Sequence, residues 1–141
     1  MEIAIGSDHA GFELKEQVIA YLKSKGLVVI DKGAYSLERA DYPDHGHAVA
    51  NEVLNKKIFG IVICGSGNGI NMSVNKHKGI RGALCWNSEI AALARQHNDA
   101  NIMALPARYM SAEEAKKCVD AFLNEKFEGG RHQDRVLKIE C

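Results

Sequence analysis

Short apolar runs alternate with helical periodicities along nearly the whole chain. Residues 2–5 (EIAI) read as a strand. Residues 11–26 (GFELKEQVIAYLKSKG) carry apolar side chains at Leu14, Val18, Ile19 and Leu22, the spacing of one helix face, with Gly26 as a stop. Residues 27–31 (LVVID) read as a buried strand. The polar stretch 32–44, which holds Gly33 and Pro43, reads as a loop, and 45–57 as a second helix. A third strand, 60–64 (GIVIC), runs into glycines, with a helix starting near Gly69. Residues 80–85 and 101–105 are two further strands. The helix between them, 87–98, is capped by Asn87 or Ser88. Ser111 followed by Glu114 predicts a capping box opening a helix over 111–127, and a last helix follows Gly129 and Gly130.

Strands and helices in strict alternation predict parallel βαβ units with right-handed crossovers. The expected fold is a single α/β domain over residues 1–141: a doubly wound, Rossmann-like five-stranded parallel sheet with helices on both faces. Ligands of such sheets collect at the carboxyl ends of the strands. This draws attention to GSDHAG (6–11), to CGSGNG (64–69) and to the stretches around Asn87 and Pro106.

Composition narrows the class. Apolar residues make up 46% of the chain, and 18 basic residues balance 18 acidic ones. A balanced charge offers no global footprint for nucleic acid or an anionic membrane. No apolar run is long enough to cross a bilayer, and the N-terminus lacks the features of a signal peptide. Cys64, Cys85, Cys118 and Cys141 form no C-x-x-C pair and match no zinc framework, so reduced thiols in the cytoplasm are expected.

CGSGNG is the richest motif. It is not a P-loop, because no Lys-Ser or Lys-Thr pair follows a glycine. It is not a dinucleotide fingerprint either, since Ile70 stands where a third glycine is needed, and Ile70 also occupies the place of a phosphatase arginine. Gly65, Gly67 and Gly69 leave backbone N–H groups free to converge on an anion, and a helix start adds its positive end. The same field favours the Cys64 thiolate, which can take a proton as well as attack carbon. The ordinary alternative is a small buried cysteine before a tight turn.

Other groups are weighed the same way. Asp8 and His9 suit hydroxyl binding or proton transfer, or else a helix cap and a loop histidine. His97 and Asn98 sit at a helix end, where capping is the plain explanation. Arg131 and Arg135 share a helix face and suit a phosphate dianion, or simply a solvated surface, with His132 off that line. Arg108 is a third arginine of this kind. DHGH (44–47) reads as a helix start rather than a metal site, and KHKG (76–79) as a solvated turn.

GSDHAGFELK, the DYP turn, CGSGNGI with a downstream NK, RQHND and GGRHQDR occur in this order. Over essentially its whole length the chain resembles ribose-5-phosphate isomerase type B. That family lies within a group that includes allose- and galactose-6-phosphate isomerases. The resemblance implies interconversion of ribose 5-phosphate and ribulose 5-phosphate without metal or organic cofactor. It also implies a homodimer, often paired into a tetramer, with the site at the subunit interface. Residues 129–141 are expected to pack there. Cys64 matches the base, and Gly65, Ser66, Gly67, Asn68 and Gly69 the loop that holds an enediolate, with Ser66 or Asp8 assisting ring opening. Asp8 and His9 match sugar contacts. His97 matches the ring-opening group, Asn98 a substrate contact, and Arg108, Arg131 and Arg135 phosphate ligands. His97, Asn98 and Arg108 are expected to reach across the interface. A glutamate serves as base in one branch at the position of Ile70, so here the loop offers only Cys64. The same chemistry on a 6-phosphate hexose, and a non-catalytic sugar-phosphate-binding module, are the competing functions.

Overall fold

A computed structural model describes residues 1–141. Five strands form one parallel sheet: β1 (Glu2–Ser7), β2 (Val28–Asp31), β3 (Phe59–Cys64), β4 (Gly82–Leu84) and β5 (Ile102–Pro106). Their spatial order is β2-β1-β3-β5-β4. The helices are α1 (Phe12–Ser24), α2 (Tyr42–Lys56), α3 (Asn68–Val74), α4 (Ser88–Asn98), α5 (Ala112–Asn124) and α6 (Arg131–Leu137).

Alternation along each strand decides which helix covers which face. Ile3, Ile5, Ile61, Ile63, Met103 and Leu105 point to one side and pack with Leu14, Val18 and Leu22 of α1, Ala91 and Ala94 of α4, and Val119 and Phe122 of α5. Ala4, Val62, Cys64, Ile102 and Ala104 point to the other, against Val49 and Val53 of α2 and Ile70 and Val74 of α3. Strands covered on both faces are apolar throughout, which is why β3 and β5 read as uninterrupted runs. The strand order reverses between β1 and β3, and the helices leaving these two strands lie on opposite faces. A crevice therefore opens at their carboxyl ends.

The sequence pattern misplaces a few boundaries for identifiable reasons. Helix α2 starts at Tyr42 rather than His45, because Pro43 in the first turn needs no hydrogen-bond partner and its fixed φ is helical. Strand β4 shrinks to three residues, since Ile80 closes a turn onto His77 and Arg81 caps the end of α4. The capping box of α5 is half made. Ser111 Oγ accepts from the Glu114 N–H at 3.1 Å, but the Glu114 carboxylate accepts from the Ser88 N–H at 2.9 Å instead of turning back. One carboxylate thus ties the starts of α4 and α5 together.

Lys15 is the largest surprise. It lies in the first turn of α1 with no side-chain exposure, and its Nζ donates to both Asp31 oxygens at 2.9 Å and to Glu16 at 3.0 Å. Asp31 Oδ1 also accepts from the Gly33 N–H at 2.9 Å. Gly33 O in turn accepts from the Ser7 N–H, and Ser7 O from the Ala34 N–H. The loop after β2 is thereby fixed beside the end of β1. Lys15→Met keeps most of the packing volume but leaves Asp31 without its cation. We expect a loss of about 2 kcal/mol in urea unfolding, with an unchanged m-value.

Candidate active site

Three strand ends converge at the crevice. The Asp8 N–H donates to Ile63 O at 3.3 Å, which holds the end of β1 against the end of β3. Cys64 pairs in register with Pro106, and the Arg108 N–H donates to Gly65 O at 3.0 Å. Asp8, Cys64 and Arg108 are therefore neighbours through their backbones, whatever their side chains do.

The side chains extend this. Asp8 is buried, and its Oδ1 accepts from the Gly11 N–H at 3.0 Å. The helix-cap reading of Asp8 is thus met in part, though the bond closes the turn before α1 and leaves Oδ2 uncommitted. His9 Nδ1 lies 3.2 Å from both the N and the O of Ala40, so the β2–α2 loop orients its ring. Cys64 is only 4% exposed and belongs to the core beneath α2 and α3.

The glycine loop is shaped by its neighbours. Gly67 has φ +77°, and a Cβ there would run into Leu84 Cδ1. A Cβ on Gly69 would sit 2.5 Å from the Tyr42 ring, and one on Gly65 3.2 Å from Arg108 Nη1. Ser66 and Asn68 are exposed, with Ser66 Oγ accepting from the Asn68 N–H at 3.3 Å. Tyr42, 40% exposed, walls the loop on its outer side. The sequence pattern leaves this residue in a loop; the signal that identifies it is the proline after it, which marks a helix start beside the site.

Four of the expected residues lie elsewhere. Helix α4 runs antiparallel to the strands, so His97 and Asn98 reach the edge where the strands begin. Asn98 O accepts from Arg81 Nε, just before β4, at 3.1 Å. Helix α6 packs on this end of α4 and carries Arg131 and Arg135, both exposed. His132 is not solvated as its surface helix suggests. It is buried, and its ring stacks on His97 at 4.2 Å and 13°. Burial lowers its pKa, and His97 and Arg131 push the same way. Arg108 stands at the carboxyl edge, its side chain beside Gly65. No chain alone joins Cys64 to His97, and none of the five cavities is lined by Cys64, Asp8 or Arg108.

KHKG is likewise more than a turn, since His77 Nε2 meets His47 Nδ1 at 2.7 Å. The remaining thiols differ sharply from one another. Burial pushes Cys85 and Cys118 up to about 12, with Cys118 adding to the effect on Cys85 and Glu114 to that on Cys118. Cys141 is exposed. Iodoacetamide at mildly alkaline pH should modify Cys141 and spare Cys85 and Cys118 until the protein is denatured. Peptide mass spectrometry checks this, and native labelling of Cys85 or Cys118 would contradict it.

Comparison with known proteins agrees with this architecture. The family model described as Ribose/Galactose Isomerase matches residues 3–139. Ribose-5-phosphate isomerase B of Escherichia coli is 48% identical over 139 residues, 98% of this chain and 93% of that protein. The solved structure of Clostridium thermocellum ribose-5-phosphate isomerase B superposes with a TM-score of 0.97 at 48% identity, covering 99% of this chain and 95% of the other. The Mycoplasma genitalium enzyme with bound ribulose-5-phosphate superposes with a TM-score of 0.93 at 45% identity, covering 98% and 93%.

Proposed function

The chain belongs to the ribose/galactose isomerase family, and on that premise we propose that it interconverts D-ribose 5-phosphate and D-ribulose 5-phosphate at a site made by two copies of the chain. The observation that carries the reading is the division of the expected groups between two edges of one sheet. Asp8, His9, Cys64 to Gly69 and Arg108 stand at the carboxyl edge, and His97, Asn98, Arg131 and Arg135 at the opposite one. A two-fold arrangement sets one edge of each copy against the other edge of its partner, so each dimer holds two equivalent sites.

The reaction needs four things. Guanidinium groups of Arg131 and Arg135 hold the phosphate by forked hydrogen bonds, remote from the reacting carbons, and so fix C1 and C2 near the sulfur. Arg108 reaches the same phosphate from its seat on Gly65. His97, with Ser66, moves the protons that open the furanose ring and expose the C1 aldehyde. The Cys64 thiolate then removes the proton on C2. The C2 electron pair forms the C1–C2 double bond, and O1 takes the negative charge of a cis-enediolate. Backbone N–H groups of the 65–69 loop stabilise that oxygen, and one such donor is commonly worth ~10²–10³ in rate. The thiol returns its proton to C1, O2 becomes the ketone oxygen, and its proton passes to O1. Asp8 and His9 hold sugar hydroxyls through this exchange.

Cys64→Ala and His97→Asn chains should each be nearly inactive alone. A 1:1 mixture refolded together should regain about a quarter of the wild-type rate, because about half of the dimers pair the two variants and each such dimer keeps one intact site. A mixture as inactive as its parents would overturn the shared site. Separately, Arg135→Ala should raise KM at least tenfold with a smaller change in kcat, since phosphate binding acts away from the reacting carbons. An unchanged KM would move the phosphate elsewhere.

A further inference from the structure

Three metal-binding side chains meet at the edge of the sheet away from Cys64. His97, Glu128 and His132 each present a donor atom, and these atoms all lie within 4.8 Å of one another. Glu128 Oε1 stands 3.8 Å from His97 Nε2 and 3.6 Å from His132 Nε2. Those gaps are too long for hydrogen bonds. They are close to the roughly 3.3–3.6 Å that separates two donors held on one tetrahedral ion. His132 points the same way by a separate criterion: it is 6% exposed, and its Nε2 is buried without any hydrogen-bond partner. A buried polar atom of this kind normally has one.

The scaffold holds the three groups in place. The Glu128 N–H donates to Gln96 O at 3.0 Å, and Gln96 Nε2 donates to Glu125 at 2.8 Å, pinning residues 125–128 along the end of α4. Gly129 and Gly130, at φ +67° and +55°, then turn the chain so that α6 brings His132 back over His97. The stacked rings aim their nitrogens side by side rather than at one point. His97 has room to tilt, with 38% of its side chain exposed against 8% for His132. Two imidazoles and one carboxylate select a borderline ion over Mg²⁺ or Ca²⁺ and leave a fourth position for water or an anion. The positive charges of Arg131 and Arg135 nearby oppose a dication and weaken its binding.

We propose that His97, Glu128 and His132 form a Zn²⁺ site whose occupation removes His97 from use and inhibits the isomerase. The inhibition rests on the role given to His97 above; the site itself does not. The test uses the full chain carrying Cys141→Ser, to remove the exposed thiol, and Zn²⁺ in competition with a chromogenic chelator. One equivalent per chain should bind. Glu128→Gln and His132→Gln should each weaken binding about tenfold or more, while His77→Gln, in the other imidazole pair, leaves it unchanged. Isomerase activity of the same protein should fall as Zn²⁺ is added, return with EDTA, and ignore Mg²⁺. Parent-like affinity in Glu128→Gln, or a loss confined to His77→Gln, overturns the site even if the protein isomerises normally. Ligand-dependent binding in a protein that isomerises nothing without Zn²⁺ would instead overturn the function and leave the site standing.

Discussion

Every helix between parallel strands must return the chain to the edge from which the next strand starts, and this one constraint distributes the chemistry. Residues that follow a strand lie at the carboxyl edge, and residues that end a helix lie at the opposite edge. Cys64 belongs to the first class and His97 to the second. Their separation does not depend on loop conformation or side-chain rotamers, because it is the length of the sheet itself. An isomerase that uses both groups on one small sugar has to draw them from two copies.

Much of this was legible in residue order alone. Apolar runs bounded by glycines gave five parallel strands, because strands buried on both faces cannot alternate with polar residues. The motifs after β1 and β3 fell at the crevice, since neighbouring strands whose following helices cover opposite faces leave their carboxyl ends open. What escaped was decided by contacts distant in sequence. Lys15 looks like any polar residue of an amphipathic helix, and its burial follows only from where Asp31 ends β2. His132 looks like a surface residue beside two arginines, and its burial follows from the Gly129–Gly130 turn onto α4. The seat of Arg108 beside Gly65 likewise follows from a 3₁₀ turn after Pro106, which no local pattern announces.

The site's framework is held by backbone bonds more than by its reactive groups. Asp8, His9, Cys64 and Arg108 are located through Ile63 O, Ala40 and Gly65 O. The buried Lys15–Asp31 pair, through Gly33, braces the same corner from behind. Such an arrangement lets side chains at the mouth change without moving the frame. It places the cost of error on a few buried polar residues that never face the substrate.

The glycine loop shows the reverse situation. Gly65, Gly67 and Gly69 answer to three different neighbours: Arg108, Leu84 and Tyr42. A side chain at any of the three positions must displace its neighbour. An alanine at 69 requires the Tyr42 ring to swing away, and one at 65 requires the Arg108 side chain to give by a few tenths of an ångström. At 67 even the loss of Leu84 is not enough, because the left-handed backbone remains. The loop therefore tolerates change unequally: positions 65 and 69 depend on how far a side chain can yield, whereas 67 is closed by its own backbone.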